Sequence, residues 1–482
     1  MGWGIETKLP ILTKRDLSLV YTPGVGECCL KIKQNPKMVM ELTNKANSIA
    51  IFAFESKSNQ AKEKAESYRM IGFDSYPIIL KKMNIPTQRI LESLKPTFGY
   101  FDISLIGEHL DESKFSTYIP KVPLSYDVPM AIDLSDDIKI AAVELHMHTR
   151  GVIKQAWCYD EPKLVGVVSN GSAVLGFGKI GPDAAMPVME GKAALFKKFG
   201  GVDAIPICVD ACCVQEFKNI VKSLEPTFSG LNLEDICAPD CFDIEEELIK
   251  EMNIPIFHDD QHGTAIVVLA GIINALALIG KDKTQAKVVF SGAGAAAVAV
   301  CKLLLAYGFT NITLTDINGA IYKGREQNDK YLEQMAQKTN PESIKGTLKD
   351  AIKGADIFIG LSAQGVLTPD MIKTMSDKPV IFALANPNPE IMPDEAKEAG
   401  AYIIATGRSD FPNQVNNSLV FPGVFKGILQ SDVKVIDDII KIKAAKALAE
   451  KVDDVSVNKI IPDPMDMEIA QIISAAIVDK QG

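Results

Sequence analysis

Eight residues, Phe257-His-Asp-Asp-Gln-His-Gly-Thr264, gather two adjacent carboxylates, two imidazoles, a glycine and a hydroxyl on one turn before a long apolar run. Upstream, Glu234 and Asp235 are neighbouring acids set between apolar residues. That is odd for a solvated loop and natural for oxygen ligands to a hard cation. Carboxylates from two such loops, Glu234 and Asp235 with Asp259 and Asp260, can neutralise and orient Mg²⁺ or Mn²⁺ while leaving positions open for a substrate. Cys237, Cys241, His258 and His262 form a rival set, spaced Cys-x3-Cys-x16-His-x3-His, close to a zinc-finger pattern. The interleaved acids are harder ligands, and the strands and long helix expected around the site need no structural metal, so the carboxylate reading is preferred.

Two further side chains could move protons. Lys192 sits among apolar residues in Met186-Pro-Val-Met-Glu-Gly-Lys-Ala-Ala-Leu-Phe-Lys-Lys198, a stretch that reads as a helix ended by cations. A lysine in an apolar setting beside other charges can be tuned into a base; the plainer reading is a side chain that snorkels to water. Tyr21 stands at the lip of the Pro-Gly turn in Val20-Tyr-Thr-Pro-Gly-Val25, either as a proton donor or as a packed ring with a wet hydroxyl.

A third constellation binds rather than reacts. Lys287-Val-Val-Phe-Ser291 reads as a strand, followed by a Gly292-x-Gly294-x-x-Ala297 turn and a helix. Glycines there let the backbone approach a pyrophosphate, and the helix N-terminus attracts its charge. The next strand, Ile312-Thr-Leu-Thr315, ends in Asp316, near the expected ~20 residues on, where an acid accepts from ribose hydroxyls. Gly176, Gly178 and Gly181 make a weaker glycine string after the strand Lys163–Val168.

The elements that must hold these groups alternate. Unbroken apolar runs at 163–168, 204–209, 287–291, 312–315, 356–360, 379–384 and 402–405 read as buried parallel strands separated by helices. The fold class is therefore α/β: a Rossmann-type doubly wound dinucleotide-binding domain plus an α/β substrate and metal domain. The expected division is 1–262, 263–430 and a C-terminal helical segment, 431–482. Asn386-Pro-Asn-Pro389 and Gln414-Val-Asn-Asn417 follow strand ends, where open α/β sheets bind ligands. Between about 55 and 161 the chain turns lysine-rich and proline-punctuated, like a small α/β insertion. His146-Met-His148 falls in it, read as an i, i+2 pair on a strand with one ring in and one out.

Composition limits the partners. A formal charge of −10 argues against nucleic acid or an anionic membrane, leaving small molecules. Nine cysteines with no small-scaffold spacing fit a reducing, cytoplasmic setting. The apolar run from Ala265 to Ile279 is interrupted by Asn274 and reads as a buried helix, not a membrane span.

Taken together, these stretches resemble the malic enzyme family in its short-subunit form. The resemblance rests on Val20-Tyr-Thr-Pro-Gly-Val25, Ala185-Met-Pro-Val-Met-Glu-Gly-Lys-Ala193, Glu234-Asp-Ile with Ala238-Pro-Asp-Cys-Phe242, Pro255 to Thr264, Phe382-Ala-Leu-Ala-Asn-Pro-Asn-Pro-Glu390 and Thr406 to Asn417. It implies that Tyr21 is the general acid, Lys192 the general base, and Glu234, Asp235 and Asp260 the metal ligands. Asp259 is then the acid supporting the lysine, Asn386 and Asn417 the malate-binding amides, and Gly292, Gly294, Ala297 and Asp316, with Asn386, the cofactor contacts. The implied reaction is oxidative decarboxylation of malate to pyruvate and CO₂ with reduction of NAD or NADP, by a homodimer or other homo-oligomer. A malolactic conversion to lactate with bound NAD is the alternative enzyme, and a dinucleotide-sensing regulator the alternative outside catalysis. Lys179 departs from the family's usual Asp or Asn, and the insertion is not part of the short pattern. Asp316 would repel a 2′-phosphate, which favours NAD, whereas Lys323 and Arg325 lie close enough in sequence to fold back.

Overall fold

The computed structural model describes residues 2–70, 73–111, 114, 138–158, 163–174, 176–431 and 433–479. Most of the inserted region from 112 to 137, residues 159–162, and the side chain of His148 lie outside them. The chain divides into two compact units, Met1–Phe257 with Ile428–Val435, and His258–Gly427 with Ile436–Gly482.

The first unit opens with β1 (Gly2–Thr7), α1 (Lys14–Val20) and α2 (Val25–Gln34). Two parallel sheets follow. One has β2 (Ser48–Phe54) between β3 (Asp74–Leu80) and β4 (Tyr100–Asp102), with α3 (Ser58–Met70) and α4 (Thr87–Ser93) as its crossovers. After α5 (Ile138–Thr149), β5 (Ile153–Cys158) returns to pair antiparallel with β1. The other sheet runs β7-β6-β8-β9, from β6 (Val165–Ser169), β7 (Ala204–Cys208), β8 (Gly230–Leu233) and β9 (Ile256–His258). Its crossovers are α6 (Pro182–Leu195), α7 (Val214–Ser223) and α8 (Asp240–Glu251). The strands β6, β7 and β8 are buried along their whole length, as apolar runs covered on both faces must be.

The structure departs from the sequence expectation at the histidine pair. His146 and His148 lie on α5, not on a strand. Ala141, Ala142, Leu145, His146 and Thr149 are buried while Lys139, Met147 and Arg150 are exposed, a helical spacing that outweighs the alternation in the three-residue motif. His146 is held by packing, its Nδ1 3.2 Å from the Leu42 carbonyl.

In the second unit α9 (Asp259–Ile279) is apolar and long enough to cross a membrane by length and composition, yet 67% of its apolar window is buried. It serves as a core helix, packed on α10 (Ala295–Tyr307) and α11 (Asp438–Glu450). The second unit's sheet runs β12-β11-β10-β13-β14-β15: β10 (Lys287–Ser291), β11 (Asn311–Asp316), β12 (Gly319–Ala320), β13 (Ile357–Gly360), β14 (Val380–Ala383) and β15 (Ile403–Thr406). All neighbours are parallel except the β11-β12 hairpin. Strand order reverses direction at β10, the switch point where doubly wound sheets bind dinucleotides. The helices after 431 belong to this unit from Ile436 onward.

Candidate active site

Lys192 is placed by a helix pinned on both sides. Lys192 on α6 is fully buried, and its Nζ donates to Glu234 Oε1 at 2.5 Å. It therefore does not snorkel. Glu190, on the same helix, accepts from the backbone N–H groups of Asn44 (2.6 Å) and Val152 (3.2 Å). Gly191 lets α6 approach the end of α1: a Cβ there would stand 2.3 Å from the Val20 carbonyl oxygen and 3.1 Å from Tyr21 Cδ2. Tyr21 caps α1 through its N–H to Leu17, is 5% exposed, and sets its ring centroid 5.6 Å from Lys192 Nζ. The two side chains expected from the sequence to move protons thus adjoin in one buried patch, although 170 residues lie between Tyr21 and Lys192 in the chain.

The carboxylates come from the C-terminal ends of adjacent strands. The Glu234 N–H continues the ladder to Val168, and Asn232 Nδ2 donates to Glu234 Oε2 at 3.0 Å. Asp235 takes a left-handed backbone, φ 54°, which turns the chain and which few residues without special reason adopt. Both acids are buried. β9, the neighbour of β8, contains the boundary between the units and runs straight into α9, so Asp259 and Asp260 follow it directly. Among the described residues, Glu234, Asp235 and Asp260 form the group that could hold a metal ion, one carboxylate oxygen of each lying within 4.8 Å of the others. Three carboxylates against the one ammonium of Lys192 leave an excess of negative charge, and all the donors are hard oxygens, which suits Mg²⁺ or Mn²⁺. Cys237, Cys241, His258 and His262 make no such group among the described residues. His258 is buried with Nδ1 3.8 Å from Asp260 Oδ2.

In the second unit Asp259 is fully buried on the first turn of α9. Gly263 leaves it room, since a Cβ there would fall 1.8 Å from Asp259 Oδ1 and 3.1 Å from Asn417 Cβ. Asn417 starts a short 3-10 turn beyond β15, and Asn386 follows β14, its amide beside Gly407. Gly292, φ 112°, turns against the Leu361 carbonyl, where a Cβ would stand at 2.3 Å; Gly294 caps α10 with open space beside it, and Ala297 is buried against the sheet. Asp316 ends β11 and is gripped by Arg325, whose Nη1 and Nη2 lie 2.8 Å and 2.5 Å from its two oxygens. That fork, with the Asn318 N–H, holds the Asp316 carboxyl below its ordinary range against the opposing effect of burial. Lys179 is exposed.

Two residues not singled out from the sequence organise these loops. Glu390 is fully buried and accepts from the N–H groups of Ser362 (2.8 Å) and Ala385 (3.0 Å), tying together the loops after β13 and β14; burial raises its carboxyl. Glu190 does the same for α6. Both lie inside family-like motifs, and burial, which only the fold supplies, is what distinguishes them.

The family description "Malic enzyme, N-terminal domain" matches residues 137–249, and "Malic enzyme, NAD binding domain" matches residues 261–481. The chain is similar to a bifunctional malic/malolactic enzyme of Bacillus subtilis, 54% identical over 318 residues, which are 65% of this chain and 77% of that one. The chain belongs to the malic enzyme family. Among other malic enzymes, the NAD-dependent one of Geobacillus stearothermophilus is 50% identical over 65% of this chain and 66% of its own. The NADP-dependent malic enzyme of Escherichia coli is 47% identical over 69% of this chain, which spans 43% of that longer protein. Two solved malic enzymes share the fold. That of Thermotoga maritima, NAD-dependent, is 49% identical with a TM-score of 0.64, covering 66% of this chain and 84% of its own. That of Pyrococcus horikoshii is 34% identical with a TM-score of 0.64, covering 98% and 84%.

Proposed function

We infer that this malic enzyme converts malate to pyruvate and CO₂ while reducing NAD or NADP. The observation that carries the reading is the buried Lys192, in contact with Glu234 and beside the ring of Tyr21. Glu234, Asp235 and Asp260 would hold Mg²⁺ or Mn²⁺, which when bound supplies a Lewis acid for the substrate's oxygens. The glycine turn after β10, with Gly292 and Gly294, would hold the dinucleotide, which when bound supplies the hydride acceptor.

The chain's own residues do the rest. Lys192 takes the proton from the C2 hydroxyl of malate as hydride leaves that carbon. Loss of the C4 carboxylate as CO₂ then leaves the enolate of pyruvate, and Tyr21 delivers its hydroxyl proton to the terminal carbon. Asp259 supports Lys192 from the turn after β9, and Asn386 and Asn417 orient malate through amide hydrogen bonds. Burial of Lys192 and Tyr21 keeps water from competing for either proton. Asp316 favours the free ribose diol of NAD, and Arg325 is the cation that an added 2′-phosphate would meet, so NAD is the preferred and NADP the secondary cofactor.

The name of the Bacillus subtilis relative, malic/malolactic, supports a second reading in which lactate is released. Incubation with malate, Mn²⁺ and excess NAD, following both products, separates them. Pyruvate and reduced nicotinamide should form one for one; lactate without net reduced nicotinamide would replace this reading with the malolactic one.

A further inference from the structure

The region inserted ahead of β6 carries a faded repeat of the unit that holds the catalytic lysine. Asp74-Ser-Tyr-Pro-Ile78 matches Asp203-Ala-Ile-Pro-Ile207, and Ser93-Leu-Lys-Pro-Thr-Phe98 matches Ser223-Leu-Glu-Pro-Thr-Phe228. The fold repeats with it. In each sheet a central strand is flanked by two parallel ones in the same order, β3-β2-β4 and β7-β6-β8. The registers agree residue for residue: Ile49 pairs with Ser75 and Tyr100, as Val165 pairs with Ala204 and Gly230. Ser75 and Ala204 each follow the repeated aspartate by one position, and Tyr100 and Gly230 each follow the repeated threonine by three.

The two copies pack on each other reciprocally. Thr97 Oγ1 donates to the Cys208 carbonyl (3.0 Å) and accepts from its N–H (2.7 Å). Thr227 Oγ1 does the same to Ile79, at 2.9 Å and 2.8 Å. The Lys81 N–H bonds to the Ser223 carbonyl (2.8 Å), and the Asp210 N–H to the Ser93 carbonyl (2.9 Å). Under the repeat, Thr97 corresponds to Thr227, Ile79 to Cys208, Lys81 to Asp210 and Ser93 to Ser223. Residue i of one copy thus meets j of the other and j meets i, the signature of an isologous two-fold interface, here inside one chain.

The site has faded in the first copy. Lys64 corresponds to Lys192, the one extra residue before Asp203 being taken up by the π turn Phe196–Gly200. Lys64 lies 2.6 Å from both Asp102 and Ser104, which stand at the positions of Asn232 and Glu234. Leu105 replaces Asp235. One carboxylate remains where the other copy offers an adjacent acid pair, too few oxygen donors for a divalent site.

We propose that residues 49–105 are a duplicated, catalytically silent copy of the βα unit 165–235 and serve as its built-in partner, covering within the chain a self-complementary face that would otherwise be open to a second chain. The duplication and its packing hold whatever the reaction; only the silence rests on the roles given to Lys192 and Glu234. Lys81 Nζ and Glu225 Oε2, 3.0 Å apart across this face, suit zero-length carbodiimide coupling in the wild-type protein. Peptide mapping of denatured products should find the Lys81–Glu225 link at the mass of a single chain; finding it only at twice that mass would show that the copies pair between chains and overturn the proposal. Arg89→Glu breaks the two-pronged bond to Glu216, at 2.7 Å and 2.9 Å, between α4 and α7. Sedimentation should give this variant the wild-type mass, and a halved mass would contradict an internal interface. Lys64→Ala should leave Mn²⁺ affinity and malate turnover within twofold of wild type while Lys192→Ala loses turnover; a tenfold or greater loss in Lys64→Ala would mean that the first copy is not silent.

Discussion

Lys192 and Tyr21 are defined by where they are held rather than by what they are. A fully buried lysine beside a glutamate is costly unless the position is used, and single general acid or base groups contribute ~10²–10⁴-fold to a rate. Tyr21→Phe keeps the packing and removes the hydroxyl, so oxidation of malate should continue while protonation of the enol slows by ~10²-fold or more. Exchange of pyruvate methyl hydrogens with deuterated solvent, read by NMR, checks this, and exchange at the wild-type rate would remove Tyr21 from the role. Asp316→Ala frees the Arg325 guanidinium from its fork and removes the charge that repels a 2′-phosphate. The ratio of kcat/KM for NADP over NAD should rise about tenfold, equivalent to ~1.4 kcal/mol; an unchanged ratio would mean that neither residue meets the ribose. Arg325 folding back was open from sequence proximity alone, but its bidentate grip was not legible, because a side chain's partner depends on the hairpin that returns it.

Helix α6 is the element that sets Lys192 beside Tyr21. Gly191 fixes its distance from α1, so Gly191→Ala must push the helices apart or strain both, at a typical cost of ~1–3 kcal/mol. Turnover should fall by ~10-fold or more with little change in Mn²⁺ affinity, because the displacement separates Lys192 from Tyr21 and leaves β8 and β9 in place. Equal losses in both would place Gly191 in general stability instead. The strands around this helix were readable because unbroken apolar runs between turn residues leave few alternatives. The helical His146 was not, since a three-residue alternation is too short to compete with the buried stripe of Ala141, Ala142 and Leu145. The duplicate unit was hidden for a related reason: its longest remaining identities, Asp74, Pro77 and Ile78 in β3 and Ser93, Leu94, Pro96, Thr97 and Phe98 around one turn, are two short islands, while most positions between them have drifted.

Across the whole molecule, stability should report both the cation and buried ionisation. A cation bound by the native chain alone adds ~2.7 kcal/mol at 100 times its Kd, so Mn²⁺ should raise Tm and Asp260→Asn should shift that rise to higher concentrations; an unshifted titration would exclude Asp260 as a ligand. Burial lowers the His146 imidazole to about 4, against ~6.5 when unfolded. The unfolded chain binds that proton first, so this contribution is complete above ~6.5 and is lost as pH falls toward 4, about 3 kcal/mol in all. Glu190 runs the other way: burial raises its carboxyl to about 7, so the folded chain takes the proton first and gains stability as pH falls below that value. Tm between pH 6.5 and 4 should therefore decline less steeply in His146→Gln than in wild type, and parallel profiles would contradict the assignment. Hydride transfer from C2 of malate to the nicotinamide is the step that defines the proposed reaction, and malate deuterated at C2 follows it. With Mn²⁺ and excess NAD, the label should appear in the reduced nicotinamide, with pyruvate as the carbon product; label retained at C2 of lactate would contradict it.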